Sequence, residues 1–170
     1  RDLKFKLQFR RHGDEIYRFV RSILGNEAEA EDATQEVFLK LWRNMDKIRG
    51  NDAKPWLFQT ARNHCIDLIR RRRERVAFSE GFLEDQPDTS ARNPQQAAEH
   101  SELRKRFDHA LQTLPEKWRS VFVLYEVNGL RYREIAETLD MPLNSVKVYL
   151  SRARNELQKQ LHSQASWIAS

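Results

Sequence analysis

The stretch from Leu130 to Leu161, LRYREIAETLDMPLNSVKVYLSRARNELQKQL, constrains the fold more than any other. It reads as a short helix, a corner and a longer helix. Ile135, Ala136 and Leu139 share one face of the first helix, and small Ala136 leaves room for a second helix to cross closely. The corner Asp140-Met141-Pro142-Leu143 stops that helix, because the ring of Pro142 disfavours helical geometry at Met141. Asn144 or Ser145 is expected to cap the second helix. Val146, Leu150, Ala153, Leu157 and Leu161 recur at three- and four-residue steps, which gives that helix one apolar stripe. Its other side carries Val148, Ser151, Arg152, Asn155 and Lys159, flanked by Lys147 and Arg154. A cationic face bearing amides and hydroxyls suits phosphates and base edges in a major groove. The same spacing also describes an ordinary helical hairpin with a solvated basic face. A DNA-binding helix-turn-helix is the expectation favoured here.

The surrounding composition fits an all-helical protein. Of 170 residues, 32% are charged, Gly and Pro number 5 each, and the net charge is +5. That charge allows a polyanionic partner without requiring one. The single cysteine, Cys65, has no internal disulfide partner and suits a reducing cytoplasm. No apolar run approaches the ~20 residues of a membrane span, and no signal-peptide pattern is present. The sequence starts at Arg1 rather than Met, so a few native residues are expected to precede it.

Taken in order, Leu3 to Leu24 reads as amphipathic in its second half, through Ile16, Phe19, Val20, Ile23 and Leu24, and Gly25-Asn26 ends it. Arg1 to Phe9 alternates charge and apolarity without declaring a state. Glu27 to Met45 forms the next helix, with acids in its first turns and Ala30, Ala33, Val37, Phe38, Leu41 and Met45 as its buried arc. Leu39 falls outside that arc, among Asp32, Gln35, Glu36 and Arg43. A lone exposed Leu usually signifies nothing, but an apolar residue rimmed by acids and an amide is also the pattern of a docking face. Asn44 to Lys54 reads as a loop. Pro55 opens a helix reaching about Arg75, with Leu57, Ala61, His64, Cys65 and Leu68 inward. Trp56, Gln59, Asn63, Asp67 and Arg70 lie on its other side, ahead of the run Arg70 to Arg73. That face suits stacking on unpaired bases and holding a backbone, although Trp56 equally fits a core position and the Arg run a solvated surface.

Phe78 to Asn93 is polar and acidic and reads as a linker, with Phe82 and Leu83 as its apolar anchors. From Pro94 the helical pattern returns, with Leu103, Phe107, Ala110, Leu111 and Leu114 on one face. Glu116 to Tyr125 follows, with Trp118, Val121, Phe122, Leu124 and Tyr125 as core. Ser163 to Ser170 is expected to fray, with Trp167 able to dock. No residue cluster has metal-ligand spacing, no Gly-rich loop cradles a phosphate and no catalytic pair is evident. His64 and Cys65 fall on an inward arc, and Asp67 beside Arg70 and Arg71 reads as an ion pair. Neither an enzyme nor a bound cofactor is expected.

Two blocks, AEAEDATQEVFLKLWRNMDKIRG with PWLFQTARNHCIDLIRRRRER, and LPEKWRSVFVLYEVNGLRYREIAETLDMPLNSVKVYLSRARNEL, resemble bacterial sigma factors of the extracytoplasmic-function group. The resemblance implies two small helical domains joined by a flexible linker: residues 1–77, a linker at 78–94, a four-helix domain with the helix-turn-helix at 95–162, and a tail. It implies that Asp32, Gln35, Glu36 and Leu39 dock on the clamp helices of the largest RNA polymerase subunit, and that the second domain meets the polymerase flap. The loop from Asn44 to Lys54 would receive a base extruded from the minus-ten promoter element. Trp56, Gln59, Asn63, Asp67, Arg70 and Arg71 would hold the single strand. Asn144, Ser145, Lys147, Val148, Ser151, Arg152 and Asn155 would read minus-thirty-five duplex. A sequestering anti-sigma factor, often membrane-anchored in such proteins, is a further implied partner; a small-molecule substrate is not.

The sequence departs from that pattern at the recognition corner. Asp140 stands where Gly is common, a position that often needs positive φ and that Asp tolerates better than most residues. Asn144-Ser145 replaces a common Gly-Thr. Val148-Tyr149 replaces a frequent Ser-Arg, which removes one potential phosphate or base contact. Two other readings stay open on sequence: an autonomous helix-turn-helix regulator and a helical adaptor binding nucleic acid nonspecifically.

Overall fold

The computed structural model describes residues 1–50, 52–79 and 96–168, without the side chains of 96–100 and 164–168. The described residues form seven α-helices and one π-helical turn and contain no strand. The first three helices are α1 (Asp2–Leu24), α2 (Glu27–Asn44) and α3 (Lys54–Phe78). The second group is α4 (Gln96–Thr113), α5 (Glu116–Phe122), the π turn Val123–Val127, α6 (Tyr132–Leu139) and α7 (Leu143–Ile168).

The helix ends follow from local chemistry. Gly25 adopts a left-handed conformation (φ 72°) and its amide returns to the Arg21 carbonyl at 2.9 Å, closing α1. Asn26 then caps α2, its side-chain oxygen accepting the Glu29 amide at 3.0 Å, and Glu27 and Glu29 meet the positive end of the helix dipole. Inside the first group, α1 buries Ile16, Phe19, Val20, Ile23 and Leu24 against Ala30, Ala33, Val37, Phe38 and Leu41 of α2 and Leu57, Phe58, Ala61 and Cys65 of α3. The rings of Phe19 and Phe58 meet edge to face at 5.7 Å.

In the second group Ala110 and Leu111 of α4, and Leu114 just beyond it, join Val121, Leu124, Ile135 and the α7 stripe Val146, Leu150, Ala153 and Leu157. Leu150 is fully buried, so truncating it to Ala should cost about 2–5 kcal/mol. Arg119 staples the α4–α5 corner from inside, donating to the Gln112 and Leu114 carbonyls at 2.8 and 3.0 Å. The two groups share one continuous apolar cluster. Polar contacts lock them: Arg21–Asp108 at 3.1 Å, Arg62 to both carboxylate oxygens of Glu116 at 2.9 and 3.1 Å, and Gln112 donating to the Ile23 carbonyl at 2.6 Å.

Several expectations need correction. The undeclared segment Arg1 to Phe9 is helical from Asp2, because Phe5 and Phe9 pack on Phe38 and Trp42 with centroid distances of 4.9–6.5 Å. Leu103 is 68% exposed rather than core, whereas Ala110 and Leu111 are fully buried. His64 and Leu68 are half-buried, and fully buried Phe58 takes the inward position that sequence did not assign. Beyond Phe122 the backbone widens into the π turn, so the Asn128 amide reaches the Val123 carbonyl at 3.1 Å. Neither Asn144 nor Ser145 caps α7: the helix starts at Leu143, with the Pro142 carbonyl accepting the amides of Ser145 and Val146 at 3.0 and 3.3 Å. Leu161 is 37% exposed, and α7 continues to Ile168 where fraying was expected. The linker from Glu80 to Asn93, with Phe82 and Leu83, and the Trp167 side chain lie outside the described residues.

Candidate polymerase and nucleic-acid interfaces

The outer stripe of α2 is built by helical spacing. Asp32, Gln35, Glu36 and Leu39 stand at i, i+3, i+4 and i+7 on the side opposite the buried arc. Leu39 is 48% exposed, while its neighbours Phe38 and Val37 are at most 3% exposed, so no packing demand accounts for it. Beside it an open groove of about 590 Å³ runs between α2 and α3, with Asp32, Glu36, Lys40, His64, Asp67 and Arg71 in its walls. Burial pushes the His64 imidazole below its ordinary range, and the charges of Lys40 and Arg71 reinforce this against Glu36 and Asp67. Cys65, on the inward side, is held as an inert thiol by burial, pushed up to about 12.

On α3, Gln59, Asn63 and Arg70 are exposed along one face with half-buried Asp67 between them, and Trp56 lies at its start, partly packed on the core. Asp67 ion-pairs with Arg70 at 2.5 Å and Arg71 at 3.0 Å, as its sequence position suggested. Lys54 and Asn44 do not join this face. Lys54 reaches Glu134 of α6 at 3.5 Å, and Asn44 donates to the Lys40 carbonyl at 2.8 Å.

The connection from Met45 to Ala53 is held at one end by Arg1, which precedes α1, and at the other by α1 itself. Arg1 donates to the Trp42 carbonyl at 2.8 Å, pairs with Asp46 at 3.4 Å and lies over the Trp42 ring. At the other end the Gln8 side-chain oxygen accepts the Ala53 amide at 3.1 Å, and His12 meets Asp52 at 2.9 Å. Sequence reading missed these anchors. Gln8 and His12 continue the Ile16–Val20–Ile23 stripe at four-residue steps, and polar side chains on a buried stripe must find partners.

The second group presents the remaining surface. Asp140 takes a left-handed conformation (φ 51°), as a Gly-like corner requires, and sets α7 across α6. Asn144, Lys147, Val148, Ser151, Arg152 and Asn155 are exposed on α7, and Ser145 is half-buried. Arg154, on the flank, is occupied by Glu126 and lies over the Tyr125 ring at 5.2 Å. Arg152 stays exposed, its guanidinium 5.9 Å from the Trp118 ring centre. Tyr149 packs partly on the core.

Among the described residues no helix is long and apolar enough to cross a membrane, and no group of His, Cys, Asp and Glu could hold a metal ion. Residues 8–75 match the Sigma-70 region 2 family and residues 104–157 match Sigma-70 region 4. The chain is 35% identical over 156 residues to the ECF RNA polymerase sigma factor SigW of Bacillus subtilis, covering 87% of this chain and 83% of that one. It is 34% identical over 159 residues to the ECF sigma factor SigE of Mycolicibacterium smegmatis, covering 92% of this chain but 61% of that longer protein. In structure it resembles the sigma factor RpoE of Bartonella quintana, solved with the anti-sigma factor NepR (TM-score 0.71, 27% identity, 93% and 96% of the two chains covered). It also resembles CnrH, solved with the cytosolic domain of CnrY (TM-score 0.72, 25% identity, 94% and 88% covered). With both regions matched in order and a B. subtilis relative aligned over most of its length, the chain belongs to the ECF RNA polymerase sigma factors.

Proposed function

We propose that the chain binds core RNA polymerase and directs it to promoters through two DNA contacts, one on melted strand and one on duplex. In this reading residues 1–77 form the melting domain and 95–162 the duplex-reading domain. The α2 stripe of Asp32, Gln35, Glu36 and Leu39 docks on the clamp helices of the largest subunit, Leu39 being the apolar anchor inside a polar rim. The second domain meets the flap. The loop between α2 and α3 takes an extruded minus-ten base, and Trp56, Gln59, Asn63, Asp67, Arg70 and Arg71 hold the single strand. Extrusion costs a few kcal/mol of stacking, which an aromatic, amide and cationic face offsets. Asn144, Ser145, Lys147, Val148, Ser151, Arg152 and Asn155 face the minus-thirty-five duplex. The chain performs no covalent step of its own and works in the cytoplasm. An anti-sigma factor, like the NepR bound to the structural relative RpoE, completes the set.

What carries this reading is that three surfaces expected to meet three different partners, on α2, α3 and α7, each lie on the solvent side of one helix, with Leu39, Asn63 and Arg152 among their exposed side chains. Lys54, paired with Glu134, and Asn44, bonded to its own helix, have to be released to take part. Gel-shift titration of promoter duplex with and without core polymerase tests the proposal. Tight binding that requires polymerase supports it; equally tight binding by the free chain at palindromic half-sites overturns it in favour of an autonomous regulator.

A further inference from the structure

Buried His12 faces two carboxylates. Its Nε2 lies 2.9 Å from Asp52 Oδ1 and its Nδ1 3.3 Å from Glu15 Oε2, while the residue is 3% exposed. The same Asp52 oxygen accepts the Lys54 amide at 3.0 Å, at the first turn of α3. Burial opposes the charge on Asp52, but the Lys54 amide and the His12 ring, helped by the charges of His12 and Arg11, outweigh it and hold the carboxyl below its usual range. One helical turn earlier, Gln8 takes the Ala53 amide. The exit of the α2–α3 connection is therefore fastened to α1 by two side chains, whereas its tip at Gly50 is exposed, takes a left-handed conformation (φ 90°) and has open space around it.

We propose that His12 is a positioning residue for promoter melting: through Asp52 it fixes the exit of the base-receiving loop and the direction in which α3 leaves it. The proposal rests on the reading of that loop given above. His12 does not touch DNA. It holds the wall of the receiving site, so losing it should blur which base the site accepts more than it weakens the hold on polymerase.

The test uses the full chain with core polymerase and a promoter fragment carrying 2-aminopurine at the extruded minus-ten position, together with fragments bearing each other base there. His12→Leu removes the donor to Asp52. It is expected to lower the preference for the favoured base roughly tenfold or more, the size of a lost hydrogen bond to a charged group. His12→Gln, which keeps an N–H near the Nε2 position, should recover most of the preference; a purely volumetric role would let Leu do as well as Gln. Polymerase affinity in the same samples reports whether the variant is folded. Where His12→Leu fails that check, Asp52→Ala, which cuts the same link from the exposed side, is read in its place. Unchanged base preference in the folded, link-cut variant overturns the proposal while leaving the sigma-factor reading intact. Failure of the unmodified chain to open any promoter fragment overturns both.

Discussion

Leu39 offers a direct test of how the chain holds polymerase. Full burial of a leucine side chain is worth about 1.5–3 kcal/mol. Leu39 is 48% exposed, so docking has roughly half of that to gain, on the order of 0.7–1.5 kcal/mol. Leu39→Ala should therefore weaken polymerase binding about three- to tenfold. Leu39→Asp should do far more. It would place an unpaired carboxylate inside the contact, at a desolvation cost of several kcal/mol, beside acids already present at Asp32 and Glu36. A loss beyond about a hundredfold is expected. The fold should hardly notice, because Leu39 lies outside the core and surface substitutions usually stay within about 0.5 kcal/mol. Fluorescence anisotropy of labelled chain titrated with core polymerase gives the affinities, and thermal melts give the fold. Full polymerase affinity in Leu39→Asp would refute the docking argument outright.

Three other outcomes follow from the same structure. Arg152→Ala should reduce promoter use by about 1–3 kcal/mol, with the loss depending on the minus-thirty-five sequence if Arg152 reads a base; an equal loss on every sequence would make it a phosphate contact, and run-off yields across a promoter series decide. Asp108→Ala strands the Arg21 guanidinium, whose side chain is 7% exposed, and should lower stability by about 3 kcal/mol in urea titrations; a loss under about 1 kcal/mol would mean water reaches the pair freely. Because the folded state holds His64 below its ordinary value of 6.5, the unfolded chain binds more protons just under that pH, and stability contributed by this site falls as pH drops through the window. His64→Gln should make stability less sensitive between pH 7.5 and 5.5, and an unaltered pH profile would contradict the assignment.

Periodicity made much of this molecule legible. The arcs of Ala30, Val37 and Leu41 and of Val146, Leu150 and Ala153 are buried where three- and four-residue spacing put them, because one apolar stripe per helix leaves little choice of face. Asp140 was readable because it stands where the resembling sigma factors commonly carry Gly, a position that often needs positive φ. Leu103 misled because one Leu in phase with a stripe looks the same whether or not the helix end reaches its neighbour. The first turns of α1 were opaque, since their order comes from Phe5 and Phe9 stacking on rings about thirty residues away. The union of the two helix groups left no periodic trace, because Arg21–Asp108 and Gln112–Ile23 join positions nearly ninety residues apart. The outward faces of α2, α3 and α7 could be picked out as polar surfaces, but exposure does not name a partner. That assignment came from the family motifs, and the anchoring of the α2–α3 loop by Gln8 and His12 came from the fold.

Added to core polymerase, this chain should confer a start site on an enzyme that lacks one. Run-off transcription with purified core polymerase on genomic fragments measures it: RNA of defined length should appear when the chain is added and disappear with Leu39→Asp. Transcripts identical with and without the chain would contradict it.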